Sequence, residues 1–190
     1  MKKYIVIIVL MVSVFFAYNY FADTEYYIPK PKAKLKIDLP LSSTSVYKTD
    51  IFIFEYSNSA VVEKKGDIYS VKYSLYNAEI VFSVALTSDF HANQFFFQNE
   101  VNQHRKFGAI VDSSFLELPE LDKYVCNYDL YGYNIATSSM FYITDMSKYF
   151  IRGSLDFNTS INSEIEVQNT IMKLEVLNFI NSFKWSNISE

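Results

Sequence analysis

Three stretches of this chain alternate apolar and polar residues with a period of two, and that pattern constrains the fold more than any other feature. Tyr69, Val71, Tyr73 and Leu75 share one face of their stretch, while Ser70, Lys72 and Ser74 share the other. Ala78, Ile80, Phe82, Val84 and Leu86 repeat the pattern. So do Tyr149, Ile151, Gly153, Leu155 and Phe157, opposed by Phe150, Arg152, Ser154 and Asp156. Successive side chains of a strand point to opposite sides of its sheet, so this alternation marks half-buried antiparallel strands. Tyr76-Asn77 is the expected turn between the first two stretches, and Asp145-Met146-Ser147-Lys148 is a polar hairpin loop before the third. Together with the aromatic run Ile51 to Tyr56, the first two predict a three-stranded meander. Phe115 to Leu118, Tyr124 to Leu130 and Met140 to Thr144 are further strand-like runs.

Two segments follow the helical period instead. Ser88 or Asp89 can cap a helix carrying Phe90, Phe97, Val101 and His104 at helical spacing, with Gly108 as its stop. Near the end, Ser163-Glu164-Ile165-Glu166 reads as a capping box. It opens a long helix with Val167, Ile171, Leu174 and Leu177 in one stripe, widened by Met172, Val176, Phe179 and Phe183. Such a broad apolar face belongs against a sheet, and Trp185 is expected to close the core just beyond it. The predicted order is three strands, a helix, about four strands and a terminal helix. This is an α+β fold, an antiparallel β-sheet covered by helices. Its element order resembles the PsbP/Mog1-like fold.

The N-terminus sets the expected compartment. Met1-Lys2-Lys3 leads into an apolar run that includes Tyr4, Ile5, Val6, Ile7, Ile8, Val9, Leu10, Phe15 and Phe16. A short basic head before such a run is the arrangement of an export signal or signal anchor. Phe15 and Tyr20 stand where signal peptidase needs small residues, and no cysteine follows for lipid attachment. Tyr4 to Ala22 as a helix spans about 28 Å at about 1.5 Å per residue, close to the hydrocarbon thickness of a bilayer. An uncleaved anchor over 1–22 is expected, with the remainder exported. Residues 23–40 then read as a tether, since Pro29 and Pro31 forbid helix while Lys30, Lys32, Lys34 and Lys36 keep it solvated. A basic strip touching anionic lipid or an acidic partner is the sharper reading of the same lysines. Residues 41–186 are expected to form one α+β domain.

Composition narrows function by exclusion. Half the residues are apolar and a fifth are charged, so a packed core is expected. A net charge of -4 argues against general nucleic-acid binding, which needs surplus Lys and Arg. One cysteine, Cys126, excludes an internal disulfide or a Cys-rich zinc site. Cys126 lies in an alternating run with Tyr124 and Tyr128, the setting of a buried, inert thiol. His91 and His104 are 13 residues apart, not the four that would pair them as metal ligands on a helix. Glu117 and Glu120 flank Pro119 in what reads as a solvated turn. No enzymatic reaction, cofactor or metal is therefore expected. Arginine is scarce: Arg105 and Arg152 stand against fifteen lysines. Arg152 is either a structural ion pair with Asp145 or Asp156, or a recognition site for a partner carboxylate or a glycan.

Several blocks resemble the gliding motility lipoprotein GldD family of Bacteroidota. They are YIPKPKAKLKIDLP from Tyr27 to Pro40, FIFEY from Phe52 to Tyr56, and YNAEIVFSV around Asn77 to Val84. FYITDMSKYFIRGSLDF from Phe141 to Phe157 is similar to the family's most distinctive block, and Phe183-Lys184-Trp185 fits its end. The resemblance implies a periplasm-facing envelope protein needed for gliding and for type IX secretion, acting as an accessory or assembly factor. Its expected partners are other envelope proteins of that machinery, with the hairpin residues Asp145 and Lys148, Arg152, and the tether lysines Lys30 and Lys32 as candidate contacts. The family's lipidated cysteine has no counterpart here, which favours an inner-membrane helix. A binding module for a small apolar ligand or glycan, with an aromatic pocket, is the alternative.

Overall fold

The computed structural model describes residues 43–87, 89–132 and 135–186. The expected anchor, from Tyr4 to Ala22, and the tether lysines Lys30 and Lys32 lie outside the described residues. Five strands come first: β1 (Thr44–Lys48), β2 (Phe52–Ser57), β3 (Val61–Lys65), β4 (Ile68–Tyr73) and β5 (Ala78–Leu86). Helix α1 (Phe90–Lys106) precedes β6 (Ile110–Leu118), β7 (Lys123–Tyr131), β8 (Thr137–Thr144) and β9 (Tyr149–Phe157). Helix α2 (Glu166–Ser182) and the short β10 (Lys184–Trp185) close the described order.

Seven strands form one antiparallel sheet in the order β3-β4-β5-β9-β8-β7-β6, and β1, β2 and β10 form a second sheet with β2 in the middle. The α+β class expected from the sequence is therefore the observed one. The run 51–56 is not part of the meander, however. It becomes β2 of the small sheet, and the meander is β3-β4-β5. Its first strand escapes a reading based on alternation, because Val61-Val62-Glu63-Lys64-Lys65 sits at a sheet edge with little to bury.

Register explains which side chains meet. Tyr69 lies opposite Phe82, and Phe82 opposite Gly153; Val71 lies opposite Ile80, and Ile80 opposite Leu155. These residues share the face that packs on α2 and the small sheet, where they join Phe52, Phe54 and Phe179 in one cluster. Leu75 and Leu86 do not share that burial. Leu75 falls in a 3-10 turn over Ser74–Tyr76, and Leu86 is the last residue of its strand, so both are exposed. Asn77 closes the turn with φ +53°, a conformation that asparagine tolerates better than most residues. On the opposite face, α1 lays Phe97 and Val101 over Tyr128, Leu130, Tyr142 and Phe150.

Helix α1 matches its sequence signals. The Asp89 carboxylate accepts a hydrogen bond from the Ala92 amide at 2.9 Å, and Gly108 follows the helix at φ +92°. The start and the inner face of α2 depart from expectation. No side chain caps its first turn, and the Asn162 side chain accepts from the Glu164 amide instead, so the Ser163 capping box does not form. Ile165, the residue before the helix, packs against the core, and this anchoring fixes the entry. Met172, Val176, Phe179 and Ile180 face inward, whereas Val167, Leu174 and Leu177 of the expected stripe are exposed. A helix apolar on both sides carries no signal for which side the sheet will take.

Gly153 is required by the packing around it. A methyl group there would stand 2.5 Å from the ring carbon Cζ of Phe141 and 2.9 Å from Cβ of Phe82. We predict that Gly153→Ala lowers stability by about 2 kcal/mol through overpacking, read as a lower midpoint in urea at unchanged slope.

Candidate functional site

Alternation along β9 decides where Arg152 goes. Ile151, Leu155 and Phe157 turn into the core beside α2, so Arg152, Ser154 and Asp156 must project on the α1 side. There the guanidinium of Arg152 donates to Glu100 at 3.2 Å and to the Ser83 hydroxyl at 3.4 Å. Glu100 stands on α1, about three turns past the capping Asp89. The ion pair expected with Asp145 or Asp156 is thus replaced by one between sheet and helix. Both partners are half exposed, so the pair is worth roughly 0.2–1 kcal/mol and leaves Arg152 open to exchange partners.

Asp156 and Asp145 are occupied elsewhere. Asp156 accepts from the hydroxyls of Thr137 at 2.6 Å and Ser154 at 2.5 Å. Asp145 organises the hairpin: its carboxylate accepts from the amides of Ser147, Lys148 and Tyr149 at 3.0, 2.8 and 2.8 Å. Partial burial works to raise the Asp145 carboxyl, but these backbone donors outweigh it and hold the group below its ordinary value. Lys148 lies over the Tyr149 ring at 4.9 Å, and that ring stacks on Trp185 at 5.5 Å. Asp145 and Lys148 therefore shape the hairpin tip, while Arg152 pairs with α1.

The rest of this sheet face is a lattice of polar pairs. Lys72 bonds Glu63 at 2.7 Å across β3 and β4, and Ser70 donates to Glu79 at 2.6 Å across β4 and β5. Past the ends of these strands lies a cleft of about 400 Å³ lined by Lys72, Tyr73, Ser74, Asn77, Glu79 and Asn158. Its lining is mostly polar. Among the described residues, Phe and Tyr side chains of the core pack on one another, with ring centroids of Phe82 lying 5.0 to 5.8 Å from Phe52, Phe54, Tyr69 and Phe179.

Cys126 is buried between Tyr128 and Tyr142 on the α1 side of β7. Burial pushes the thiol pKa up, against hydrogen bonds from both phenols that pull it down, so the reactive thiolate is disfavoured. His91 is exposed and His104 half buried on α1. Among the described residues, no three His, Cys, Asp or Glu side chains gather as metal ligands. No described helix is long and apolar enough to cross a membrane.

Two lysines went unnoticed in the sequence. Lys123 is fully buried, and its ammonium donates to the carbonyls of Ile180 at 2.6 Å, Phe183 at 2.9 Å and Asn181 at 3.3 Å. It caps the C-terminus of α2 from β7, satisfying carbonyls that the helix leaves unpaired. Lys173 lies 3.4 Å from Asp129 and 3.9 Å from the centre of the Tyr131 ring. Local sequence holds no sign of either contact, since each joins residues more than 40 positions apart.

The arrangement is that of a helix-flanked sheet whose polar groups bind one another and whose half-exposed arginine pairs with the helix across the sheet. The family model of the gliding motility lipoprotein GldD matches residues 24–185, and the chain belongs to that family. Membership carries involvement in gliding motility and association with the cell envelope. No curated protein matches the chain. The solution structure of cyanobacterial PsbP (CyanoP) from Synechocystis sp. PCC 6803 is similar at a TM-score of 0.49 and 12% identity, covering 78% of this chain and 95% of that one.

The lysine cap has a pH signature. Burial, with Lys184 nearby, pushes the Lys123 pKa from 10.5 down to about 8. Between those values the unfolded chain binds the extra proton, so this group makes stability rise with pH from about 8 to about 10. We expect urea midpoints to show that rise in the wild type and to lose it in Lys123→Met. Lys123→Ala, which also opens a cavity and strands the carbonyls, should cost about 3 kcal/mol at pH 7.

Proposed function

We propose that this protein is a non-catalytic accessory or assembly factor of the gliding motility and type IX secretion machinery, working by contact with other envelope proteins. The observation that carries this reading is the family match across residues 24–185, which takes in every described strand and helix. The chemistry of the site agrees with it. The carboxylates that flank Arg152 in sequence are consumed by the hairpin and by neighbouring hydroxyls, which suits a shaped surface better than acid–base work.

In this reading the folded part faces the periplasm, held at the inner membrane by the apolar segment that begins at Tyr4. The sole cysteine of the sequence, Cys126, is buried in β7 and is no candidate for lipid attachment. Lys30 and Lys32 hold the domain off the membrane. Arg152 on the α1 side of β9 offers one contact point, and Lys148 with the Asp145 hairpin at the tip before β9 offers another. An incoming carboxylate would take over Arg152 from Glu100, a trade that a half-exposed pair permits at little cost.

Gene replacement in the native host tests this. Deletion should abolish both spreading and export of type IX substrates, and normal behaviour on both counts rejects the reading. Arg152→Ala should lower the unfolding free energy by no more than about 1 kcal/mol, the worth of the half-exposed pair it removes, yet fail to complement the deletion. Full complementation by that variant would remove Arg152 from the contact surface.

A further inference from the structure

The two edges of the large sheet are built differently. Strand β3 ends in Glu63-Lys64-Lys65, charges that discourage another strand from pairing there. Strand β6, the opposite edge, is nine residues long, and among the described residues it pairs with β7 alone. It leaves large apolar side chains in solvent: Ile110 is 69% and Phe115 57% exposed, and Phe107, just before it, is 84% exposed.

The order of residues on β6 is symmetric. Ile110-Val111-Asp112-Ser113-Ser114-Phe115-Leu116 reads as two apolar, three polar and two apolar positions about Ser113. A twofold axis through Ser113, perpendicular to the sheet, would set Ile110 opposite Leu116 of a second copy and Val111 opposite its Phe115. Asp112 would face Ser114, so no like charges oppose each other. The faces agree as well. Val111 and Phe115 both register with residues on the α1 side of β7, Leu130 and Cys126, while Ile110 and Leu116 register with Tyr131 and Val125 on the other side.

Charge complements the same register. The basic last turn of α1, with Arg105 and Lys106, directly precedes β6, and the acidic Glu117 and Glu120 end it. Antiparallel pairing about Ser113 brings the basic end of each copy alongside the acidic end of the other.

We propose that β6 is a homodimer interface, in which two copies of this chain join antiparallel about Ser113 and extend the sheet across the twofold axis. An isologous contact needs a self-complementary patch, and β6 has that property in polarity, in face and in charge.

Oxidative crosslinking of the full-length chain in its membrane tests the register. Opposed residues of an antiparallel pair lie about 4.5–5.5 Å apart at Cα, within reach of a disulfide. Ser113→Cys should therefore give a reducible dimer, while Ser59→Cys, exposed on the turn between β2 and β3, should not. Adding Phe115→Lys or Val111→Lys should remove the dimer. Lys106→Glu should weaken it, and pairing that change with Glu120→Lys should restore it. Equal crosslinking at positions 59 and 113, or a dimer indifferent to both lysine variants, overturns the proposal.

Discussion

Phe82 is the contact on which the architecture rests. Its ring meets Tyr69 from the neighbouring strand at 5.0 Å, Phe179 from α2 at 5.1 Å, and Phe54 and Phe52 from the small sheet at 5.6 and 5.8 Å. Each buried aromatic of this kind contributes about 1.5–3 kcal/mol by leaving water, and edge-to-face geometry adds to that. The shared ring is how the small sheet and α2 come to lie on one face of the large sheet. Gly153, directly across from Phe82, leaves the space that Phe141 fills. Remove that space and the rings on β5 and β8 compete for one volume.

With one face sealed by aromatic packing, polar groups caught at its margin have to be satisfied there. Lys123 does this for the end of α2, and Tyr73 does it for Glu175, whose phenol and carboxylate meet at 3.2 Å. Burial raises the Tyr73 phenol, which therefore stays protonated as a donor, and burial also raises Glu175 against the pull of that hydrogen bond. The other face of the sheet has α1 over only part of its width. The uncovered part is where Arg152, Glu79 and Lys72 remain near solvent.

Legibility followed from how local the determining interaction was. The extent of β9 and the Asp145 loop were readable because alternation and turn chemistry are encoded within a few residues. The cap of α1 by Asp89 was readable for the same reason. The partner of Arg152 was not, since Glu100 lies 52 residues away and reaches it only when α1 packs across the sheet. The inner face of α2 was ambiguous because Leu174 and Met172 are equally apolar. The choice between them was made by Phe54 and Phe82, residues that no helical period can reveal.

The sequence by itself determined the alternating strands, the two helices, the inert setting of Cys126 and membership of the gliding motility family, because these reside in short-range pattern and in motif order. The tertiary structure alone decided that residues 52–57 leave the meander for a second sheet, that Lys123 caps a helix 60 residues away, and that β6 is left as an edge. Those outcomes depend on which surfaces meet. Meeting is a competition among distant apolar groups for the same buried space, and a one-dimensional pattern does not record its result.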